Sequence, residues 1–278
     1  MTLNLMTDST CDLGADLAAR YGIRVLPMYV NTRGHTYRDG VDITLEELFR
    51  SVQESGQLPK TSAPTVADFH QAFIADEETV YISISSKLSA THQNALLARE
   101  MALGRTIHIV DSLNLSTGIG LLAIKAAEMR DAGLPGAEIA RRITALVPQV
   151  RTSFVVETLD YLYKGGRCTA LQSIMSSMLS IRPIIAVRPD GTLGMKAKTR
   201  GSRQKALQTM LNAFCEDLPD VDLDRVFVTH TGCGQDAEYL KSALLRAAPI
   251  REVGITTAGC VIASHCGPGT IGIIYLKK

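Results

Sequence analysis

The chain has 278 residues, 46% of them hydrophobic, enough for one large α/β unit or two modest domains with a substantial core. Its 29 Lys and Arg against 28 Asp and Glu leave a formal charge of +1, which argues against a general polyanion binder. Aromatic residues make up 5%, with no Trp, so base-stacking platforms for single-stranded nucleic acid are not expected. In chain order, residues 3–6 read as a strand and 12–20 as a helix stopped near Gly22. Thr44-Leu45-Glu46-Glu47 has the form of a capping box opening a helix that ends before Gly56, and Thr65 with Asp68 starts another. Residues 80–84 and 107–111 read as buried strands, each followed by a Ser/Gly loop and a long helix.

This alternation predicts an N-terminal α/β domain, residues 1–150, with a mainly parallel sheet and flanking helices. Ligands of such sheets gather at the carboxyl ends of the strands, where the loops 85–91 and 112–120 fall. From about residue 151 the pattern changes to strand, helices and a hairpin, with strands at 182–187 and 192–198 around Pro189-Asp190-Gly191. A helix over 202–217, a strand over 225–230, another helix and two terminal strands follow. Residues 151–278 therefore read as an α+β domain with a mixed sheet and helices. Residues 255–276 carry no Lys, Arg, Asp or Glu; their Thr, Ser, Gly and Pro content points to two buried strands around a turn, not a membrane span. Residues 170–181 are also uncharged over about three helical turns, so that helix is either buried all round or lines an apolar cavity, with Met175 and Met178 as adaptable wall residues.

The start of the chain lacks a basic segment followed by a long apolar run, and six cysteines show no CxxC or disulfide-framework spacing. The expectation is a cytoplasmic protein with reduced thiols. Chemistry concentrates in hydroxyl-rich loops: Thr61-Ser62-Ala63-Pro64-Thr65, Ser85 to Thr91, and Ser264-His265-Cys266-Gly267-Pro268-Gly269. Small hydroxyls and backbone N–H groups at such turns hold anions well, but they break bonds poorly without a positioned base or metal. Of the titrating groups in these loops, His265 is the obvious one, so the expectation is an oxyanion-binding site and no catalytic set.

Other motifs weigh less. Gly118-Ile119-Gly120-Leu121-Leu122-Ala123 fits GxGxxA, but six residues separate it from the preceding strand and no acidic residue follows at the required place; packing glycines explain it better. His230, Cys233, Cys260, His265 and Cys266 do not make a convincing zinc set, since cysteine is among the most commonly buried residues. No G-x-S-x-G or SxxK supports a serine nucleophile. Lys196, Lys198, Arg200, Arg203 and Lys205 form a basic segment free of acids, either a solvated face or a docking surface, and Lys164-Gly165-Gly166-Arg167 is a second cationic turn.

Taken together, TDSTCDL at 7–13, TSAPT at 61–65, ISSKLSATHQNA at 84–95, VDSLNLSTGIG at 110–120, FVVETLDYLYKGGR at 154–167, KTRGSRQKA at 198–206 and SHCGPGTIGI at 264–273 resemble the bacterial DegV family, whose members act as fatty-acid-binding subunits of fatty acid kinase. The chain departs from that pattern at Lys87 and Ala90, where glycines are usual, at His92 for Tyr and at Cys266 for Thr. The resemblance implies a two-domain α/β fold and a long acyl tunnel, with Ile174, Met175 and Met178 among its walls. It implies a carboxylate held by Thr61, Ser62, Ser89 and Thr91 beside His265, with no catalytic residue, metal or cofactor in this chain. It also implies an ATP-dependent kinase subunit that phosphorylates the bound carboxylate, with Arg167, Arg200 and Arg203 as docking cations. Transient contact with a membrane surface during ligand exchange fits the same picture, and nucleic acid does not. The alternative is a stand-alone acyl hydrolase or another enzyme acting on a small carboxylate or phosphate.

Overall fold

The computed structural model describes residues 3–167 and 181–278. Strands β1 (Leu3–Asp8), β2 (Ile23–Leu26), β6 (Glu78–Ser83) and β7 (Thr106–Asp111) form a parallel sheet in the order β2-β1-β6-β7. Its central strands are buried on both faces, as crossover helices require. Tyr81 and Met6 point to one side and pack with Phe69, Phe73, Ala95 and Ala98 of helices α3 (Val66–Ile74) and α4 (Thr91–Met101). Val80, Ile82 and Leu5 point to the other and meet Ile119, Leu122 and Ile124 of α5 (Thr117–Asp131). Helices α1 (Gly14–Arg20) and α6 (Gly136–Leu146) belong to the same α/β half.

A second, mixed sheet runs β10-β9-β8-β13-β11-β12, built from β8 (Val150–Val155), β9 (Ile181–Val187), β10 (Leu193–Arg200), β11 (Val221–His230), β12 (Glu252–Thr257) and β13 (Ile271–Lys277). Helices α8 (Arg203–Asp217) and α9 (Gly234–Ala247) cover one face through Leu207, Phe214, Leu240 and Leu244. The other face turns Phe154, Phe227 and Ile274 toward α5. Helix α5 thus sits between the two sheets, which is why it is buried all round its first turns. Gly118 and Gly120 serve that packing: a Cβ on Gly118 would lie 2.2 Å from Asn114 Oδ1, and one on Gly120 would lie 2.7 Å from Leu13 Cδ2.

The predicted capping box forms, and the predicted helix start at Thr65 proves to be a second one. Thr44 and Glu47 close the start of α2 (Leu45–Ser55), and Thr65 and Asp68 close the start of α3. Two features differ from the expectation. A small antiparallel sheet, β4-β3-β5, forms from β3 (Tyr29–Thr32), β4 (His35–Arg38) and β5 (Lys60–Ser62). Its strands have three or four residues each, too few for a clear alternating pattern.

The second difference is at the C terminus. The uncharged stretch 255–276 is not two strands around a turn but strand, helix and strand, with α10 (Cys260–Cys266) between β12 and β13. Short apolar runs do not distinguish a buried helix from a buried strand. What decides it here comes from far away in the chain: Asp12 accepts from Gly259 N at 2.8 Å and Asp39 accepts from Cys260 N at 2.7 Å, so two distant carboxylates satisfy the helix's first N–H groups. The uncharged helix expected at 170–181 starts in the segment that is not described, and Ile174, Met175 and Met178 lie outside the described residues; Ile181 opens β9.

Candidate functional site

The carboxyl ends of β1, β6 and β7 carry Asp8, Ser83 and Asp111, and the loops that follow them are tied to one another. Asp8 accepts from Ile84 N at 3.0 Å, and Asn114 O accepts from Ser85 N at 2.8 Å. The Ser85 hydroxyl donates to Gly191 O at 2.9 Å, joining the loop to the β9–β10 turn. Gly191 has φ +83°, and a Cβ there would stand 2.4 Å from Ser85 Oγ, so conformation and space both demand glycine. The loop after β6 is thereby fixed, and Ser89 with it.

Against this loop lies a narrow cavity lined by Met28, Thr61, Ile84, Leu88, Ser89, Leu115, Arg167, Leu193, Val261, Ile262, His265 and Cys266. Its polar groups come from four elements. Thr61 is on β5, Ser89 precedes α4, His265 is in the last turn of α10, and Arg167 follows α7 (Asp160–Lys164). Thr61 Oγ1 and His265 Nε2 are 2.7 Å apart. Arg167 donates to Gly165 O at 2.6 Å and to Leu88 O at 3.4 Å, spanning the cavity's edge.

Burial pushes the His265 imidazole down to about 4, and the Arg167 charge acts in the same direction. The ring is therefore neutral near pH 7, one nitrogen a donor and the other an acceptor. Among the described residues its Nδ1 is buried with no hydrogen-bond partner, and it lies against Gly165, where a Cβ would come within 2.5 Å. Burial likewise lowers Arg167, which stays cationic. Two hydroxyls, a neutral imidazole and a guanidinium thus share a cavity otherwise walled by Met28, Ile84, Leu88, Leu193, Val261 and Ile262. Such a set suits a carboxylate on an apolar body.

A second, narrow cavity lies deeper, between the loop before α5, helix α10 and the mixed sheet; its walls include Phe154, Thr229, His230, Ala258, Thr270, Gly272 and Ile274. Its hydroxyls are engaged elsewhere. Thr152 donates to Asn114 Oδ1 (2.7 Å), Thr229 pairs with Thr117 and Thr256, Thr231 donates to Gly267 O, Thr270 to Cys266 O and Ser116 to Asp12. With their oxygens bonded, these side chains offer chiefly methyl and methylene surface, so the space is apolar despite its threonines.

The structure brings Thr61, Ser89 and His265 together as the sequence suggested. Ser62, the next residue on β5, is exposed and does not line the cavity, because neighbouring strand residues face opposite ways. Thr91 is fully buried and bonds the Ser89 hydroxyl at 2.7 Å, supporting the cavity-lining residue from behind. Arg167 is exposed and also lines the cavity. Arg200 is exposed at the end of β10, whereas Arg203 is held by Asp236 (2.5 Å) and Glu157 (2.9 Å). The zinc reading finds no geometry: His265 engages Thr61, Cys233 Sγ donates to Thr270 O and Cys260 Sγ to Ile43 O. Among the described residues no three His, Cys, Asp or Glu side chains are grouped to hold a metal ion. Met28, Leu115, Leu193, Val261 and Ile262 went unforeseen, since isolated apolar residues carry no signal separating cavity wall from core.

A model for the DegV family of uncharacterised proteins matches residues 2–278. A DegV domain-containing protein of Caldanaerobacter subterraneus subsp. tengcongensis is 33% identical over 278 residues, covering 99% of this chain and 98% of that protein. Among solved structures, a DegV family protein from Thermus thermophilus, described for its fatty acid binding, is 32% identical with a TM-score of 0.93, each chain covered in full. DegV from Bacillus subtilis, described as a fatty acid binding protein, is 26% identical with a TM-score of 0.89, again over the whole of both chains.

Proposed function

Because the chain belongs to the DegV family, we propose that it binds a long-chain fatty acid and presents the carboxylate to a separate, ATP-dependent kinase subunit for conversion to an acyl phosphate. The observation that carries this reading is the Thr61–His265 pair, beside Ser89 and Arg167, at one end of an apolar cavity. Residues 1–150 supply the hydroxyl loops in this reading, and residues 151–278 supply His265, Arg167 and most of the acyl tunnel.

The division of labour follows from the chemistry. Burying about 15 methylenes at roughly 0.8 kcal/mol each gives an upper bound near 12 kcal/mol, before the costs of association and ordering. The head group then needs only hydrogen-bond donors and a cation, because an unpaired buried carboxylate would take up a proton instead. Thr61, Ser89, His265 and Arg167 meet that need. Metal, nucleotide and in-line geometry belong to the kinase, so this chain needs no catalytic group or cofactor of its own. A hydrolase using Ser264 is not favoured, since that hydroxyl is buried and donates to Cys260 O at 2.6 Å within α10. We place the protein in the cytoplasm, with contact at a membrane surface when ligand exchanges; among the described residues no helix is long and apolar enough to cross a membrane.

The test is the double variant Thr61→Ala/Ser89→Ala, titrated with hexadecanoate by calorimetry. The expected loss is about 2–3 kcal/mol, at about 1–1.5 kcal/mol for each hydrogen bond. Unchanged affinity would remove the head-group assignment.

A further inference from the structure

Resting on the fatty-acid reading, we infer that Leu115, Ile262 and Cys266 form a neck through which the acyl chain passes from the head-group cavity into the inner one, and that their bulk decides how much of the chain is buried. These three side chains are common to the walls of both cavities. All three are largely buried. Ile262 and Cys266 stand four residues apart on α10, so they present one edge of the helix, with Leu115 on the other wall.

Both walls are held rigidly. Leu115 lies between two non-glycine residues in left-handed backbone, Leu113 at φ 45° and Ser116 at φ 55°. Such conformations persist only where the surroundings over-determine them, and they cluster at ligand sites. Here Asn114 Oδ1 accepts from Leu115 N at 3.0 Å and from Thr152 at 2.7 Å, while Asn114 O accepts from Ser85 N. Asp12 then joins the two walls: one carboxylate oxygen accepts from Ser116, beside Leu115, and the other from Gly259 N, at the start of α10. The aperture is therefore set by a single buried side chain that bonds both sides, not by loops free to part.

Apart from His230, whose Nδ1 accepts from Cys233 N, the inner cavity turns bonded hydroxyls and apolar side chains to its contents, so most of its wall accepts hydrocarbon. Each methylene that passes the neck strengthens binding about fourfold, and each one barred from it forfeits that factor.

The experiment measures dissociation constants for straight-chain acids from octanoate to octadecanoate with the wild type, Cys266→Phe and Ile262→Phe. The readout is the affinity for each longer acid relative to octanoate within each protein, which a general loss of folded protein does not alter. The wild-type ratio should grow by about fourfold per methylene until the inner cavity is full, and both variants should level off at a shorter chain, with the ratio reduced at least about tenfold. In the opposite direction, Ile262→Ala should favour a mid-chain methyl-branched hexadecanoate over the straight acid by at least about fivefold relative to wild type, roughly the value of one newly accommodated methyl group. Unaltered increments in both Phe variants, or an unaltered branched-to-straight ratio in Ile262→Ala, would overturn the neck while leaving fatty-acid binding intact. A wild type that binds none of the acids would overturn the neck together with the fatty-acid reading on which it rests.

Discussion

Replacing Gly165 by alanine should weaken fatty-acid binding although the residue itself offers no ligand-binding group. The new Cβ would lie 2.5 Å from His265 Nδ1 and 2.7 Å from Tyr161 O. The carbonyl belongs to α7 and cannot move far, so the imidazole must yield and its 2.7 Å contact with Thr61 breaks. Backbone strain is not the cause, since Gly165 has an ordinary helical φ of −72°. Helix propensity alone would favour alanine there by up to about 1 kcal/mol. Overpacking works against that by about 1–3 kcal/mol, leaving a net destabilisation of about 1 kcal/mol. Loss of the oriented imidazole should cost a further 1–3 kcal/mol or so of binding, about a 5- to 150-fold weaker dissociation constant for hexadecanoate. Denaturant unfolding and calorimetric titration of the same preparation separate the two effects. An alanine variant more stable than wild type, with unchanged affinity, would refute the placement of His265 in the head-group site.

The depressed His265 also makes stability depend on pH. The folded ring protonates near 4 and the unfolded ring near its ordinary 6.5, so the unfolded chain binds the extra proton first as pH falls. Stability contributed by keeping this ring neutral is complete above about pH 6.5 and is lost toward about pH 4, by roughly 3 kcal/mol at most. The difference between wild type and His265→Gln, followed by denaturant unfolding, should shrink by that amount over the window; a constant difference would contradict it. Asp39 has the opposite sign. Burial is the main force raising its carboxyl, and the neighbouring Asp8 adds to it, so its ionised form burdens the fold as pH rises through the raised value. Asp39→Asn should therefore gain stability relative to wild type as pH rises above the ordinary carboxylate range toward the raised value, and a flat difference would refute the reasoning. Charge reversal at Arg200 should reduce turnover by the kinase subunit more at low salt than at high salt, because an exposed cation acts through screened attraction; equal rates at both would make it ordinary surface.

Much of this was legible in the sequence, and the limits have physical causes. The capping boxes at Thr44 and Thr65 are local, so four consecutive residues suffice to announce them. The parallel order of β1, β6 and β7 follows from the alternation of strand and helix. The hydroxyl-rich loops stood out because small hydroxyls and a histidine at turns suit an anion, and the family resemblance singled out Thr61, Ser89 and His265 among them. Helix α10 did not, because its N terminus is capped by Asp12 and Asp39, more than 200 residues earlier in the chain. Arg167 was read as a surface cation, and it is exposed, but nothing local to it records that it also borders the cavity beside Leu88 and His265. Ser62 was read as a ligand because adjacency in sequence is not adjacency in space on a strand.

Fatty-acid binding is tested most directly by what the protein carries when it is isolated. Native mass spectrometry of the chain purified from a bacterial host, followed by denaturing extraction, should reveal one bound acid of about 14 to 18 carbons, whose burial is strong enough to survive purification. The same mass should disappear from Thr61→Ala/Ser89→Ala/Cys266→Phe. A protein that emerges empty, and takes up no fatty acid when one is supplied, would contradict the account.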